Sequence, residues 1–300
     1  MPMHMPRPLL SIAATVVAVT ASINCTSDRT AFQDEKLDAG TAAPPADFAP
    51  PDAGVGDSGE FPPQECKGET QFVYVFTQTA TIYRFDPTSL TFAELGRPNC
   101  PTSVGPYSMA IDRYGVAWLG YRDGSVHKSR LDSLECTEIP LQRPAGAQLT
   151  RFGMGFSKDD SENGESLFLG NNGLWKANPR TLEVERIGQA QPMGSTFELT
   201  GTGDGQLYGF DNKNGVVARL DPVTSDALEI HRTSAIGGAW AFAQWGGDFW
   251  LFTTGEWTWN NSSVTRYNPV TQTSTVVVED AGIVIMGAGV STCAPFEPPQ

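Results

Sequence analysis

The chain has 300 residues, of which 40% are hydrophobic and 18% are charged, a composition typical of folded, water-soluble proteins. Its 34 acidic and 20 basic side chains give a formal net charge of -14, and it contains no basic run and no patch of basic and aromatic residues. A chain without such a patch is poorly suited to neutralise nucleic-acid phosphates or to dock on anionic lipid. We therefore expect no nucleic-acid partner, and membrane attachment only through the N-terminus.

The N-terminal segment has the features of an export signal. Arg7 precedes an apolar run of small residues from Leu9 to Ile23, which is too short for a comfortable membrane span. The four residues SINC, which end at Cys25, are similar to the lipobox of bacterial lipoproteins, in which the cysteine becomes the lipidated first residue. Asn24 departs from that pattern, since Gly, Ala or Ser is usual there. We predict a signal peptide over residues 1–24 and lipidation of Cys25, with ordinary signal-peptidase cleavage as the alternative.

Three further segments follow the signal. Residues 25–65 are rich in Ala, Pro, Gly and Asp and contain almost no large apolar side chains, so burial cannot offset their chain entropy. We predict a disordered acidic tether there, a folded domain over residues 66–295 and a short tail over residues 296–300. An anchor, a tether and a folded domain form a typical lipoprotein layout. This layout predicts an outer-membrane or cell-surface lipoprotein, with a periplasmic or secreted soluble protein as the alternative.

A short phrase recurs along the folded domain. RYNPVTQTSTVV, which begins at Arg266, has near-copies that begin at Arg84, Lys176 and Arg219. The Asp or Asn of the repeat recurs at intervals of 46, 46, 43 and 47 residues, at Asp86, Asp132, Asn178, Asp221 and Asn268. A second set of matching positions recurs at intervals of 45, 45, 43 and 45 residues, at Met109, Met154, Leu199, Phe242 and Gly287. Two independent sets of positions recur with the same period, which lies in the range of propeller blades, and this indicates an all-β propeller.

Each repeat predicts four strands. Apolar residues alternate or run in short stretches cut by Gly, Asn and Asp, as in β-hairpins. The Asx-Pro phrase predicts a turn between the third and fourth strands, because Pro lacks a ladder donor and the Asx side chain bonds the next amides. The first repeat lacks an inner strand, and residues 282–293 supply an inner strand without a repeat of their own. We predict a five-bladed β-propeller of four-stranded blades closed by the C-terminal strand, with six blades as the alternative.

The cysteines fit this closure. Besides Cys25 the chain has four, an even number that favours disulfides in an exported protein. Cys66 opens the first repeat and Cys293 ends the strand that would pair with it, so a bridge between them would lock the ring. Cys100 and Cys136 follow or lie in neighbouring outer strands and form the second predicted bridge. The two other connectivities stay open on sequence alone.

The sequence lacks a recognisable catalytic set. No GxSxG, HExxH or P-loop pattern occurs, and His127 and His231 lie on predicted strands where polar side chains usually face solvent. No CxxC pair or Cys/His cluster indicates a metal. The acidic hairpin that begins at Ser157 lacks the acidic residue of a calcium loop at its twelfth position, Gly170. We predict no cofactor and no metal, and favour a binding protein over an enzyme.

Polar residues near the inner strands are the best remaining candidates for a ligand site. Asp112, Ser157, Thr202 and Gln244 occupy related positions of four repeats, and Ser291 occupies the fifth. Together they would surround one mouth of the central channel, where a concave ligand site is expected. The alternative is that small polar residues simply fit the crowded axis of the ring.

Two tryptophans form a second candidate site. Trp257 and Trp259 stand in the segment GEWTWNNSS, between two predicted strands of the fifth blade. Their alternation would place both rings on one face, as a platform for a sugar ring or an apolar ligand. The alternative is that the two rings cap the blade from outside.

Three segments carry a resemblance to a known group of proteins. FELTGTGDGQLYGF, GGAWAFAQWGGDFWLF and the closing GAGVSTCAP are similar to sequences of uncharacterised secreted bacterial β-propeller lipoproteins, which have an Asp/Ala/Pro-rich linker before the propeller. The resemblance covers about residues 66–295. It implies the propeller architecture, and it brings no established activity and no site residues.

These observations favour a non-enzymatic binding or scaffold module at the cell envelope, expected to be a monomer. A rigid ring with varied loops and no catalytic set would present one face to a protein, peptide or carbohydrate ligand. The alternative is an envelope hydrolase or lyase whose active site lies at the central channel, with Asp112 as the first candidate for catalysis.

Overall fold

The described residues form five four-stranded antiparallel sheets, each of which is one blade of a β-propeller. The computed structural model describes Cys66, residues 68–255 and residues 260–297. A short 3-10 helix, Gly68–Gln71, precedes the first strand. Strands are numbered β1 to β20 in chain order, and each blade is given from the channel outward.

Blade 1 consists of β20 (Ile285–Val290), β1 (Val73–Thr77), β2 (Ile82–Asp86) and β3 (Thr91–Gly96). Blade 2 consists of β4 (Pro106–Ile111), β5 (Val116–Tyr121), β6 (Val126–Arg130) and β7 (Cys136–Ile139). Blade 3 consists of β8 (Gly153–Lys158), β9 (Glu165–Gly170), β10 (Leu174–Ala177) and β11 (Val184–Gly188). Blade 4 consists of β12 (Glu198–Gly201), β13 (Leu207–Asp211), β14 (Val216–Leu220) and β15 (Ala227–Arg232). Blade 5 consists of β16 (Trp240–Trp245), β17 (Asp248–Thr253), β18 (Ser263–Asn268) and β19 (Thr273–Val278).

The ring closes through the C-terminal strand, as the sequence predicts. β20 pairs antiparallel with β1, with Val290 opposite Val73 and Ala288 opposite Val75. A disulfide joins Cys66 to Cys293 beside this pair, with 5.2 Å between their Cα atoms. The second predicted disulfide, Cys100–Cys136, is also present and links blade 1 to the outer strand of blade 2. The five-bladed prediction is confirmed over the described residues.

The repeated phrase forms the predicted turn between the third and outer strands. The Asp86 carboxylate accepts a hydrogen bond from the Thr88 amide at 2.8 Å, and the Asn178 side chain accepts one from the Arg180 amide at 2.8 Å. Four residues after each turn begins, one residue adopts a positive φ of 54° to 67°, at Leu90, Leu182, Ser225 and Gln272. In blade 2 the matching residue is Leu134, so that turn begins at Arg130. Asp132, which the sequence analysis took as the equivalent of Asp86, therefore lies two residues after the start of the turn.

Neighbouring blades pack face to face through large aromatic side chains. Phe85 of blade 1 lies edge-on to Trp250 and Phe252 of blade 5, with 5.5 Å between ring centroids in each pair. Trp118 of blade 2 meets Phe156 of blade 3 at 5.4 Å. Each such buried ring contributes about 1.5–3 kcal/mol relative to leaving it exposed. The core is therefore a set of interfaces between blades.

The inner strands leave little space along the axis of the ring. A Cβ at Gly155 would lie 2.7 Å from the Leu199 backbone of the next inner strand, and one at Gly287 would lie 2.6 Å from the Met109 nitrogen. Only glycine permits this approach of backbones. The hydroxyl of Ser108 on β4 donates to the carboxyl of Glu198 on β12 at 2.7 Å, across the ring from blade 2 to blade 4. Side chains and backbone thus close the channel between its two mouths.

The inner strands all run in the same direction through the ring. We call the end where β4, β8, β12, β16 and β20 begin the upstream mouth, and the end where they finish the downstream mouth. Each mouth is lined by a different set of loops.

Candidate functional site

The polar residues that the sequence singles out meet at the downstream mouth. Asp112, Thr202 and Ser291 directly follow inner strands, and Ser157 and Gln244 lie next to the last residue of theirs. All five are buried, with side chains between 1% and 7% exposed. The predicted grouping around one mouth therefore forms, and the remaining question is whether their polar groups are free.

Both oxygens of the Asp112 carboxylate accept hydrogen bonds from its own blade. Its carboxylate accepts hydrogen bonds from the amides of Tyr114 and Val116, both at 2.9 Å, and from the indole N–H of Trp118 at 3.0 Å. Burial raises the pKa of Asp112, and these three donors oppose that rise. The carboxylate thus holds the hairpin between β4 and β5.

The other members of the ring also bond to nearby backbone. Ser157 donates to the Gln206 carbonyl at 3.0 Å, and the Thr202 hydroxyl accepts from the Gln206 amide at 2.9 Å. The Gln244 side-chain amide donates to the Phe296 carbonyl at 3.1 Å. Ligand binding by these residues stays a prediction, and in the structure their polar groups have internal partners.

The C-terminal segment, residues 291–297, lies across the downstream mouth. The Thr292 hydroxyl donates to Glu165 of blade 3 at 2.7 Å, and the Gly246 amide of blade 5 donates to the Pro295 carbonyl at 2.6 Å. Cys293 Sγ lies 3.8 Å from the Arg113 carbonyl of blade 2. The segment therefore ties blades 2, 3 and 5 to the strand that closes the ring.

A buried pair of carboxyl groups lies under this segment. Glu165 accepts from the Arg113 amide at 2.8 Å and from Thr292. Burial raises the pKa of Glu165 to about 8, and the charge of Asp112 acts in the same direction. Both acids are enclosed by their own hydrogen bonds, so we assign this pair a structural role.

The upstream mouth contains a cavity of about 490 Å³, within the usual size range of small-molecule sites. It is lined by loops and strand starts from four blades and by the closing strand. The lining residues are Tyr107, Arg122, Arg151, Ser195, Thr196, Glu198, Gly238, Ala239, Trp240 and Met286. None of them belongs to the set that the sequence singled out.

Glu198 forms the floor of this cavity. Its side chain is 2% exposed and accepts from the Ser108 hydroxyl, and the Met154 amide adds a second hydrogen bond. Burial raises the pKa of Glu198 well above its usual value, against these two bonds. Desolvation of a carboxylate disfavours its charged form, so the environment of Glu198 favours the protonated acid.

Two arginines stand at the rim above this floor. Among the described residues, the guanidinium groups of Arg122 and Arg151 have no hydrogen-bond or ion-pair partner. Both lie close enough to the Tyr107 ring to lower the pKa of its hydroxyl, although burial, the largest effect, and Glu198 raise that pKa to about 12. Two positively charged side chains therefore line this mouth of the propeller.

Trp240 and Met286 supply the apolar side of the cavity. Met286, near the start of β20, is 5% exposed. Trp240, the first residue of β16, is partly buried and lines the same cavity. The indole N–H of Trp240 is buried and has no hydrogen-bond acceptor in the part of the chain that the structure describes. Such a group costs free energy when it is left unpaired, and a bound ligand oxygen would satisfy it.

One position in the repeat carried a signal for this site. In the second set of recurring positions, which starts at Met109, the residues that come just before each position are Ser108, Gly153, Glu198, Ala241 and Met286. Four repeats place a small or apolar residue there, at the start of the crowded inner strand, and one places an acid. Arg122 and Arg151 lie in loops whose sequences do not repeat, and the sequence offered no comparable signal for them.

The remaining sequence candidates fall elsewhere. Trp257, Trp259 and Cys25 lie outside the described residues. A polar cavity of about 350 Å³ is lined by Asn260, Asn261, Glu279 and Asp280. His127 and His231, expected to face solvent, are buried, with exposures of 1% and 4%.

No group of three or more His, Cys, Asp and Glu side chains in the described residues is arranged to hold a metal ion. No helix within the same residues has the length and apolar character that a membrane crossing requires.

Comparison with known proteins gives the fold alone. No protein-family model and no curated protein matches the chain. Among solved structures, a chain of a nidogen/laminin complex is 14% identical over 72% of this chain and 97% of that chain, with a TM-score of 0.48. A catalytically inactive virginiamycin B lyase from Staphylococcus aureus with quinupristin is 17% identical over 66% and 63%, with a TM-score of 0.38. At these values the similarity supports no argument about function.

Proposed function

We propose that this protein is an exported, lipid-anchored binding module that takes a ligand at the upstream mouth of its propeller. The observation that carries this function is the cavity whose rim and wall hold unpartnered guanidinium and indole N–H groups. Polar groups that lack internal partners in a concave site are the usual mark of a ligand site. The non-repeating loops around the mouth set its specificity.

Cys66 marks the point at which the proposed tether joins the propeller. Its disulfide partner Cys293 lies at the downstream mouth beside Arg113, so the tether would be attached at the mouth opposite the cavity.

The two disulfides support an oxidising compartment, as expected for export. We propose that Cys25 carries the lipid and that residues 25–65 form the tether of an outer-membrane or cell-surface protein. Metabolic labelling with an alkyne fatty acid tests the anchor directly. Label that is present in the natural chain and absent from Cys25→Ala supports lipidation, and a labelled Cys25→Ala chain contradicts it.

Binding itself is tested with the full chain purified in detergent and applied to arrays of glycans and peptides. We expect at least one class of ligand to bind, and Trp240→Ala to weaken it by about tenfold, since buried aromatic anchors carry much of a site's affinity. Ser157→Ala, at the downstream mouth, is the matched control and leaves binding unchanged. Arrays on which the natural chain binds nothing would overturn the proposed function.

A second candidate function follows from Glu198. A carboxyl at the floor of a cavity whose pKa is raised by burial is a group of the kind that general-acid catalysis uses. A hydrolase or lyase would then act on the ligand that the mouth binds. Incubation of array hits with the protein, followed by mass spectrometry, tests this candidate. Turnover that Glu198→Gln abolishes while binding persists supports an enzyme, and intact ligand after incubation with the natural chain rules against it.

A further inference from the structure

Building on the proposed binding function, we propose that the ligand of the upstream mouth is a small carboxylic acid, held by its carboxylate between Arg122 and Arg151. Both arginines line one cavity, together with Tyr107 between the two blades that carry them. A guanidinium matches a carboxylate in shape and charge and donates two parallel hydrogen bonds to it.

The charge balance of the mouth favours an anion. The charged or titratable side chains in its lining are Arg122, Arg151, Tyr107 and Glu198. Tyr107 is neutral at pH 7, and burial raises the pKa of Glu198, which favours its uncharged form. The two arginines therefore place positive charge at this mouth in a chain whose net charge is -14. An acidic protein that keeps a positive cavity concentrates anions there against its overall field.

The rest of the cavity fits a compact body that carries the carboxylate. Trp240 and Tyr107 offer ring faces, and Met286 offers an adaptable apolar surface. The indole N–H of Trp240, which has no acceptor among the described residues, is a donor for an oxygen atom of the same molecule. A volume of about 490 Å³ has room for a disaccharide acid or a short peptide with a free C-terminus. These two sources share the carboxylate chemistry and are separated by experiment.

The experiment uses matched pairs of acidic and neutral probes with the full chain. Digalacturonic acid is titrated beside its methyl ester, and acetyl-dialanine beside its amide, by isothermal titration calorimetry at pH 7. We expect one of the two acids to bind, and its neutral counterpart to bind at least about tenfold more weakly, since charge-assisted hydrogen bonds to guanidinium groups are lost. The acid that binds identifies the source of the carboxylate.

Variants connect that difference to the two arginines. The double variant Arg122→Gln, Arg151→Gln is expected to bind the acid and its neutral counterpart equally weakly. Arg232→Gln, which changes an exposed arginine at the end of β15, is the matched control and retains the preference for the acid. Because neither mouth guanidinium has an internal partner, the double variant is expected to melt within about 2 °C of the natural chain.

The possible failures are distinguishable. If the neutral probes bind as tightly as the acids, or if the double variant keeps the preference, the carboxylate assignment is wrong while the binding function stands. If none of the four probes binds although an array ligand without a carboxylate does, the outcome is the same. If neither the probes nor the arrays show a ligand, the binding function fails together with the ligand class.

Discussion

The two mouths of the propeller are formed by the same five inner strands, yet the side chains singled out at each mouth differ in their hydrogen bonds. At the downstream mouth, Asp112, Thr202 and Gln244 bond to their own hairpins or to the C-terminal segment. At the upstream mouth, Arg122 and Arg151 have no such partner among the described residues. The difference concerns these side chains and not every polar group, since Arg113 Nε at the downstream mouth is also buried without an acceptor in the described part of the chain. In a repeat protein, equivalent positions therefore indicate which side chains meet at one mouth, and their hydrogen bonds show which of them are engaged by the fold itself.

The largest expected effect comes from the disulfide at the downstream mouth. Cys66→Ala with Cys293→Ala opens a loop with a sequence separation of 227 and should lower the free energy of unfolding by roughly 5 kcal/mol, an upper estimate from chain entropy. Cys100→Ala with Cys136→Ala, with a separation of 36, should lose roughly 4 kcal/mol by the same estimate. Urea unfolding measures both losses. A smaller loss for the ring-closing pair than for the local pair would show that closure depends on strand pairing instead.

The next effect is a pH dependence that originates under the C-terminal segment. The folded pKa of Glu165 is raised to about 8, so its stabilising contribution is complete below about pH 4.5 and is lost as the pH rises through 8. The slope is at most about 1.4 kcal/mol per pH unit for one proton. Glu198, whose pKa is also raised, contributes in the same direction.

Glu165→Gln should therefore reduce the fall in stability between pH 5 and pH 8. Urea midpoints at four pH values in that window measure the slope. Glu185→Gln, at an exposed position of β11, is the control and should keep the natural slope. Equal slopes for the two variants would mean that Glu165 is not the titrating group.

Asp112→Asn separates a structural role from a catalytic one. The oxygen of the new side-chain amide can still accept from the Tyr114 and Val116 amides. Its NH2 group, which replaces the second carboxylate oxygen, cannot accept from the Trp118 indole. The indole N–H is then a buried donor without a partner, at a cost of about 1–3 kcal/mol. We expect a lower melting temperature and unchanged ligand binding at the upstream mouth. Asp123→Asn, in the exposed turn between β5 and β6, is the matched control. An unchanged melting temperature with a lost activity would instead support catalysis at the downstream mouth.

The smallest expected effect belongs to the upstream mouth. Arg122→Gln should change the free energy of unfolding by no more than about 0.5 kcal/mol, because its side chain makes no hydrogen bond or ion pair with the described residues. Thermal unfolding beside the Asp112→Asn variant gives the comparison directly. A loss similar to that of Asp112→Asn would show that Arg122 is a structural residue.

The fold was predictable because its signals are local. Each Asx turn, such as the one at Asp86, is specified by four adjacent residues, and the repeat period then counts the blades. Ring closure was predictable because a repeat without an inner strand and an inner strand without a repeat complete each other. These inferences needed no knowledge of how the loops pack.

The site was less predictable because packing between distant segments decides it. The sequence around Gln244 does not indicate that its side-chain amide will donate a hydrogen bond to the Phe296 carbonyl. Arg122 and Arg151 line one cavity only because the ring brings the start of one inner strand beside the hairpin of the preceding blade. Glu198 was the exception, since an acid at a position that other repeats fill with small or apolar residues indicates a special environment.

The bond between Cys66 and Cys293 has a mechanical consequence. Any tension on the segment before Cys66 reaches the propeller where β1 begins, and the disulfide passes part of that load to the end of β20. The two strands of the ring-closing pair are then pulled together at a covalent junction, so the first strand is not peeled from its blade. The ring would therefore stay closed under a load applied to the chain before Cys66.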